Sequence, residues 1–137
     1  MKRFLAALLL LPLAAACTDE LDGQQRIGRA DAWALSAASP SGPPVSCVDQ
    51  ARIRGHGVRD ARTIDFTMDD GNLLRNRLPF ACPGLLQGAR ISYRTALPRL
   101  CSTDTIVLAD ANGDAAGNCG LGQFQPIAVP PQPGARR

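Results

Sequence analysis

Five cysteines, at positions 17, 47, 82, 101 and 119, constrain this chain of 137 residues more than any other feature. Their chemistry depends on the compartment, and the first seventeen residues, MKRFLAALLLLPLAAAC, specify one. A basic start (Lys2, Arg3), an apolar run from Phe4 to Leu13 and the small residues Ala14, Ala15 and Ala16 form a secretory signal peptide. The run is too short to span a bilayer. Export carries the thiols into an oxidising environment, where an odd count leaves one of them to explain.

A cysteine directly after the small residues is the pattern of a bacterial lipoprotein signal, which makes Cys17 the lipid-bearing first residue of the exported chain. Cys47, Cys82, Cys101 and Cys119 then remain for two disulfides. Ordinary cleavage after Ala14-Ala15-Ala16 is the competing outcome and would release a soluble periplasmic or secreted protein. Leu13 stands four residues before the cysteine, where lipoprotein signals usually carry Leu three before it. With acyl chains on Cys17 the membrane is the first partner, since each buried CH2 contributes about 0.8 kcal/mol and several chains hold stably. Thr18 in place of Asp suits the outer membrane, with the protein facing the periplasm.

Loss of residues 1–16 also removes Lys2 and Arg3, so that thirteen arginines face twelve acidic residues and the formal charge falls from +3 to +1. A nucleic-acid binder carries a far larger basic excess, and both charge and compartment argue against that partner. The exported chain has no Lys and one Glu, Glu20, a bias that a GC-rich genome explains.

The chain divides into a signal peptide (1–16), a lipidated cysteine and flexible tether (17–46), a β-domain (47–129) and a disordered tail (130–137). The tether is rich in Ala, Ser, Gly, Pro and Asp and ends in Ser39-Pro-Ser-Gly-Pro-Pro44. Within it, Arg29 to Ala37 could form a helical turn, with Trp33 docked or exposed. A core of some 80 residues is marginal by itself. Two disulfides at about 2 to 4 kcal/mol each would be decisive.

Strand patterns fill the domain. Thr63-Ile-Asp-Phe-Thr-Met68 alternates, with Ile64, Phe66 and Met68 on one face and Asp65 on the other. Arg90-Ile-Ser-Tyr-Arg94 places Ile91 and Tyr93 inward. Thr105 to Leu108 is rich in β-branched residues, and Ala51 to Arg54 pairs across the Arg59–Arg62 turn. After Asp69-Asp70-Gly71 a two-residue loop would set Arg75 opposite Phe66 on the apolar face. A three-residue loop with left-handed Gly71 instead sets Phe66 opposite Leu74 and Ile64 opposite Asn76. That register makes Asn76 an inward polar residue and turns Arg75 and Arg77 to water. Apart from a possible turn at Pro83 to Gln87, helical periodicity is absent. The expected fold is all-β: a small disulfide-bonded antiparallel β-barrel or sandwich of five to seven strands. Of the three connectivities open to four cysteines, Cys82–Cys101 and Cys47–Cys119 follow from the placement of the first two around the Ile91 strand and the others at the domain ends.

Thr63-Ile-Asp-Phe66, Arg75-Asn-Arg-Leu-Pro79, Cys82-Pro-Gly-Leu85, Leu100-Cys-Ser-Thr-Asp-Thr-Ile106 and Cys119-Gly-Leu-Gly-Gln-Phe124 together resemble a family of small uncharacterised proteobacterial exported proteins and lipoproteins, a domain of unknown function. The resemblance spans Cys47 to Ile127. It implies a compact disulfide-bonded envelope domain and supplies no reaction and no catalytic residue.

The candidate chemistry is sparse. His56, between Gly55 and Gly57, is the sole histidine, and no nucleophile motif accompanies it. The closest cysteines are eighteen residues apart, which argues against zinc, and no cofactor is expected. Asp110-Ala-Asn-Gly-Asp114 resembles a calcium loop but has Ala115 and Leu121 where Gly and Glu belong, so a turn is the simpler reading. Asp69 and Asp70 suit a turn, while Asp65 and Asp104 have no visible partner for glycoside hydrolysis. Arg52, Arg54, Arg75, Arg77, Arg90 and Arg94 fall on outward strand positions and are the candidate face for an anionic ligand. The expectation is a non-enzymatic envelope lipoprotein that binds an envelope protein or an anionic cell-wall component. A small envelope hydrolase acting on glycan or peptide, and an exported inhibitor of a hydrolase, are the alternatives.

Overall fold

The turn at Asp69–Gly71 sets the register of the main sheet. Gly71 lies at φ +81°, left-handed space that a side chain would resist. The Met68 N–H donates to the Asn72 carbonyl at 2.9 Å, closing a three-residue loop. β4 (Thr63–Met68) and β5 (Leu73–Arg77) therefore pair with Phe66 opposite Leu74 and Ile64 opposite Asn76, as the side-chain argument requires.

The computed structural model describes residues 32, 34–86, 89–93, 95–110 and 112–131. The expected signal peptide, lipidated Cys17, tether residues 18–31, Trp33, Gln87, Arg94 and tail residues 132–137 lie outside them. Ala34, Leu35 and Ser36 take a helical turn. Among the described residues no helix is long and apolar enough to cross a membrane.

β3 (Ile53–Asp60) pairs with β4 and forms one edge of the sheet, with register breaks after Ile53 and after Val58. It runs straight through Gly55-His56-Gly57. On the other side β10 (Phe124–Ala128) pairs with β5, and β1 (Ser39–Pro40) pairs with β10, giving a five-stranded antiparallel sheet in the order β1-β10-β5-β4-β3. β2 (Cys47–Asp49) pairs with β7 (Arg99–Cys101). β6 (Arg90–Tyr93), β8 (Thr105–Ala109) and β9 (Ala115–Gly120) form a third sheet in the order β6-β8-β9. The fold is all-β with no closed barrel. Seven of these ten strands have four or more residues, and the three short ones, β1, β2 and β7, carry too little periodicity to be read in advance.

One core joins the inner faces of all three sheets, with Ile64, Phe66, Leu78, Leu85, Leu100, Ile106 and Phe124 nearly or fully shut from water. Phe66 and Phe124 meet edge to face with ring centres 5.6 Å apart, an arrangement worth about 0.5 to 1.5 kcal/mol beyond burial. Asn76 is polar and fully buried. Its Nδ2 donates to the Gly122 carbonyl at 2.7 Å, and its Oδ1 accepts the Gly122 N–H at 2.9 Å. A Cβ at Gly122 would collide with the Arg77 carbonyl oxygen, so this clamp requires glycine.

The disulfides are Cys47–Cys101 and Cys82–Cys119, which corrects the expected Cys82–Cys101 and Cys47–Cys119 pairing. The reason is strand pairing. β2 lies against β7 with Cys47 facing Cys101, while Cys119 sits opposite Ile106 on the core side of β9, where buried Cys82 reaches it. The bridges close loops of 54 and 37 residues, each worth about 4 kcal/mol in the chain-entropy picture.

Candidate functional site

The outer face of the five-stranded sheet carries a polar row, because Gly57 lies opposite Asp65, Asp65 opposite Arg75, and Arg75 opposite Gln125. Asp65 Oδ1 accepts Arg75 Nε at 2.7 Å. Its Oδ2 accepts Arg75 Nη2 and Arg59 Nε, each at 2.9 Å. The Asp65 side chain is 1% exposed and that of Arg75 10%, so both expectations of a water-facing position are corrected. Two elements cover them. Arg75 Nη2 donates to the Leu35 carbonyl at 2.8 Å, tying the buried Ala34 turn onto the sheet. Arg59 folds over Gly57, where a Cβ would come within 2.8 Å of its Nη2. Hydrogen bonding to Asp65 raises the Arg75 pKa against the opposing effect of burial.

Arg77 lies two residues further along β5 and is exposed, and its side chain has no hydrogen bond or ion pair among the described residues. Together with Arg59, Arg75 and Thr63 it lines a cleft of about 330 Å³ under the Leu35 turn. On its other side Arg77 borders a cleft of about 420 Å³ with Gln123 and Gln125. Three guanidinium groups thus converge where Asp60 and Asp65 supply the carboxylates, and Asp60 already accepts the Arg62 N–H at 2.7 Å. The site presents an unsatisfied cation over a floor of fixed charges, suited to a carboxylate or phosphate oxygen.

The other arginines of the expected face do not join this cluster. Arg52 lies in a 3-10 turn (Gln50–Arg52) and bonds Asp69 at 3.0 Å and Asp70 at 2.8 Å. Arg54 is exposed on β3, Arg90 is exposed on β6 in a different sheet, and Arg94 lies outside the described residues. Arg59 escaped the sequence argument because that argument places it in an Arg59–Arg62 turn, whereas β3 runs on to Asp60 through a register break after Val58. The Asp65–Arg75 contact was within reach, since the three-residue loop already sets these residues opposite one another.

The remaining candidates have structural partners. Asp104 Oδ2 accepts the Cys101 N–H at 2.7 Å, and Asp110 Oδ1 accepts the N–H groups of Asn112 and Asp114 at the β8–β9 turn. Asp49 and Asp70 share a cleft of about 550 Å³. Asp49 caps the 3-10 turn, and the Asn72 backbone N–H, with Arg52, holds Asp70 below its usual value, the opposite of what a general acid requires. His56 borders a cleft with Ala89, Arg90 and Ile91, and burial lowers its pKa. Among the described residues no group of three or more His, Cys, Asp or Glu side chains is placed to hold a metal ion. Compared with known proteins, the chain matches no described family, no curated protein and no solved structure.

Proposed function

We propose that this is a non-enzymatic cell-envelope lipoprotein, anchored through Cys17 and facing the periplasm from the outer membrane, whose β-domain captures an anionic group of an envelope protein or cell-wall component. The observation that carries the reading is Arg77, an exposed guanidinium without a partner among the described residues at the rim of a cleft that Arg59 and Arg75 also line. A charge-assisted hydrogen bond contributes about 1.5 to 3 kcal/mol, so losing it should weaken capture roughly tenfold or more. The signal sequence and the even cysteine count after position 17 support the location.

In-cell crosslinking followed by mass spectrometry tests both parts. Arg77→Glu should reduce capture of the crosslinked partner at least tenfold, whereas Arg54→Glu, also exposed but outside the cluster, should not. Equal capture by the two variants removes the site. Recovery of a soluble chain with an unmodified Cys17 thiol removes the anchor.

A further inference from the structure

The connection from β5 to β6 holds apolar side chains in water on a braced mount. Leu78, Cys82 and Leu85 are buried at 1%, 1% and 0% exposure, whereas Phe80 and Leu86 between and beside them are 81% and 69% exposed. The loop is fixed at several points. Arg62 Nη2 donates to the Pro79 carbonyl at 2.9 Å and, with Nε, to the Leu78 carbonyl at 3.3 Å. The Cys82 N–H donates to the Ala61 carbonyl at 2.8 Å, and the Cys82–Cys119 disulfide ties the same residue to β9. Pro83 and Gly84, the latter at φ +83°, form the centre of a turn closed by the Leu85 N–H on the Cys82 carbonyl. So held, the loop cannot collapse to bury Phe80.

Arginines adjoin both ends of this loop. Among the described residues the Arg62 guanidinium is bonded to carbonyl oxygens and to no carboxylate, while Asp60 accepts the Arg62 backbone N–H. Arg90, next to Ala89, whose N–H donates to the Leu86 carbonyl at 2.9 Å, is exposed and has no ion pair among the described residues.

We propose that the Phe80–Leu86 loop is a lipid-contacting surface, in which Phe80 and Leu86 enter the interface of an anionic bilayer while Arg62 and Arg90 meet headgroup phosphates. A stable protein interface buries about 800 Å² on each partner and surrounds its central side chains with close-packed contacts. Here two apolar side chains stand on either side of a proline–glycine turn, with the Arg62 guanidinium bonded to the loop backbone and the exposed Arg90 following it in sequence. A fluid interface accepts that shape without a matching surface. Basic residues add attraction to acidic headgroups. The contact lies on a different part of the chain from the Arg77 cleft and stands whether or not that cleft binds an anion.

Flotation with vesicles tests it, using the exported chain from residue 17 with Cys17→Ser so that no acyl chain contributes. The protein should float with phosphatidylglycerol–phosphatidylethanolamine vesicles and much less with phosphatidylcholine vesicles. Phe80→Ser combined with Leu86→Ser should lower the partition coefficient at least tenfold, and Arg90→Glu several-fold. All these side chains are exposed, and intact disulfides with an unchanged urea midpoint verify the fold. Failure of the unmodified loop to float, or flotation indifferent to the Phe80 and Leu86 changes, overturns the proposal. Equal flotation with phosphatidylcholine overturns the role of the arginines. Phe80-dependent crosslinking to a protein without vesicle binding assigns the loop to a protein groove instead and equally overturns it.

Discussion

The β4–β5 hairpin carries two clusters of arginine and aspartate built from the same side chains in opposite surroundings. At its tip Arg52 reaches Asp69 and Asp70 with half of its side chain in water, while midway along it Asp65, itself 1% exposed, holds Arg75 and Arg59. The distances hardly differ, from 2.8 to 3.0 Å at the tip and from 2.7 to 2.9 Å at the centre. Burial separates them. At the tip, water and salt compete with each bond; at the centre, removing one partner strands a charge that has nowhere to go.

The largest expected effect comes from breaking the central cluster. Asp65→Ala should cost about 3 to 5 kcal/mol in urea unfolding, because Arg75 is left buried against the Leu35 turn without its counter-charge. Replacing the two buried members, Asp65→Leu with Arg75→Leu, should recover most of that loss, because Arg59 is a third exposed and can turn to water. A double variant as unstable as Asp65→Ala would show that packing and not charge dominates. Arg52→Ala at the tip should shift the urea midpoint far less, and the shift should vanish near 1 M salt, where the screening length is about 3 Å. A salt-independent loss at Arg52 would erase the distinction between the clusters.

The smallest effect is in acid. The Asn72 N–H and then Arg52 depress the Asp70 pKa below 3.8, so the folded state binds this proton less readily than the unfolded chain. The tip's contribution is therefore complete above that ordinary value and fades as pH falls through the lower folded one. Comparing Asp70→Asn with the parent across that window should show the difference in midpoint shrinking as the acid range is entered. A difference that stays constant as the pH falls through that window would deny the linkage.

Much of this hairpin was legible in advance. The alternation of Ile64, Phe66 and Met68 and the left-handed preference of Gly71 fixed the loop length, the register and the inward position of Asn76. What burial did to the opposite face was not legible, because the covering groups come from elsewhere. Leu35 lies 40 residues from Arg75 in sequence, and Arg59 enters through a register break that no period announces. Gly122 similarly completes Asn76 from 46 residues away. The loop carrying Phe80 showed a turn signal at Pro83-Gly84 and no sign of which neighbours would face water.

By itself the sequence determined the strand character of the domain, the geometry of its central hairpin and the availability of four cysteines, since alternation, turn chemistry and parity are local or additive properties. Tertiary structure alone decided which cysteines bond, which arginines keep an unsatisfied charge and which apolar side chains remain outside. Those outcomes depend on β2 meeting β7, β10 closing on β5 and the Leu35 turn lying over Asp65. Such contacts are set by the burial of all three sheets around one core, which no single segment encodes.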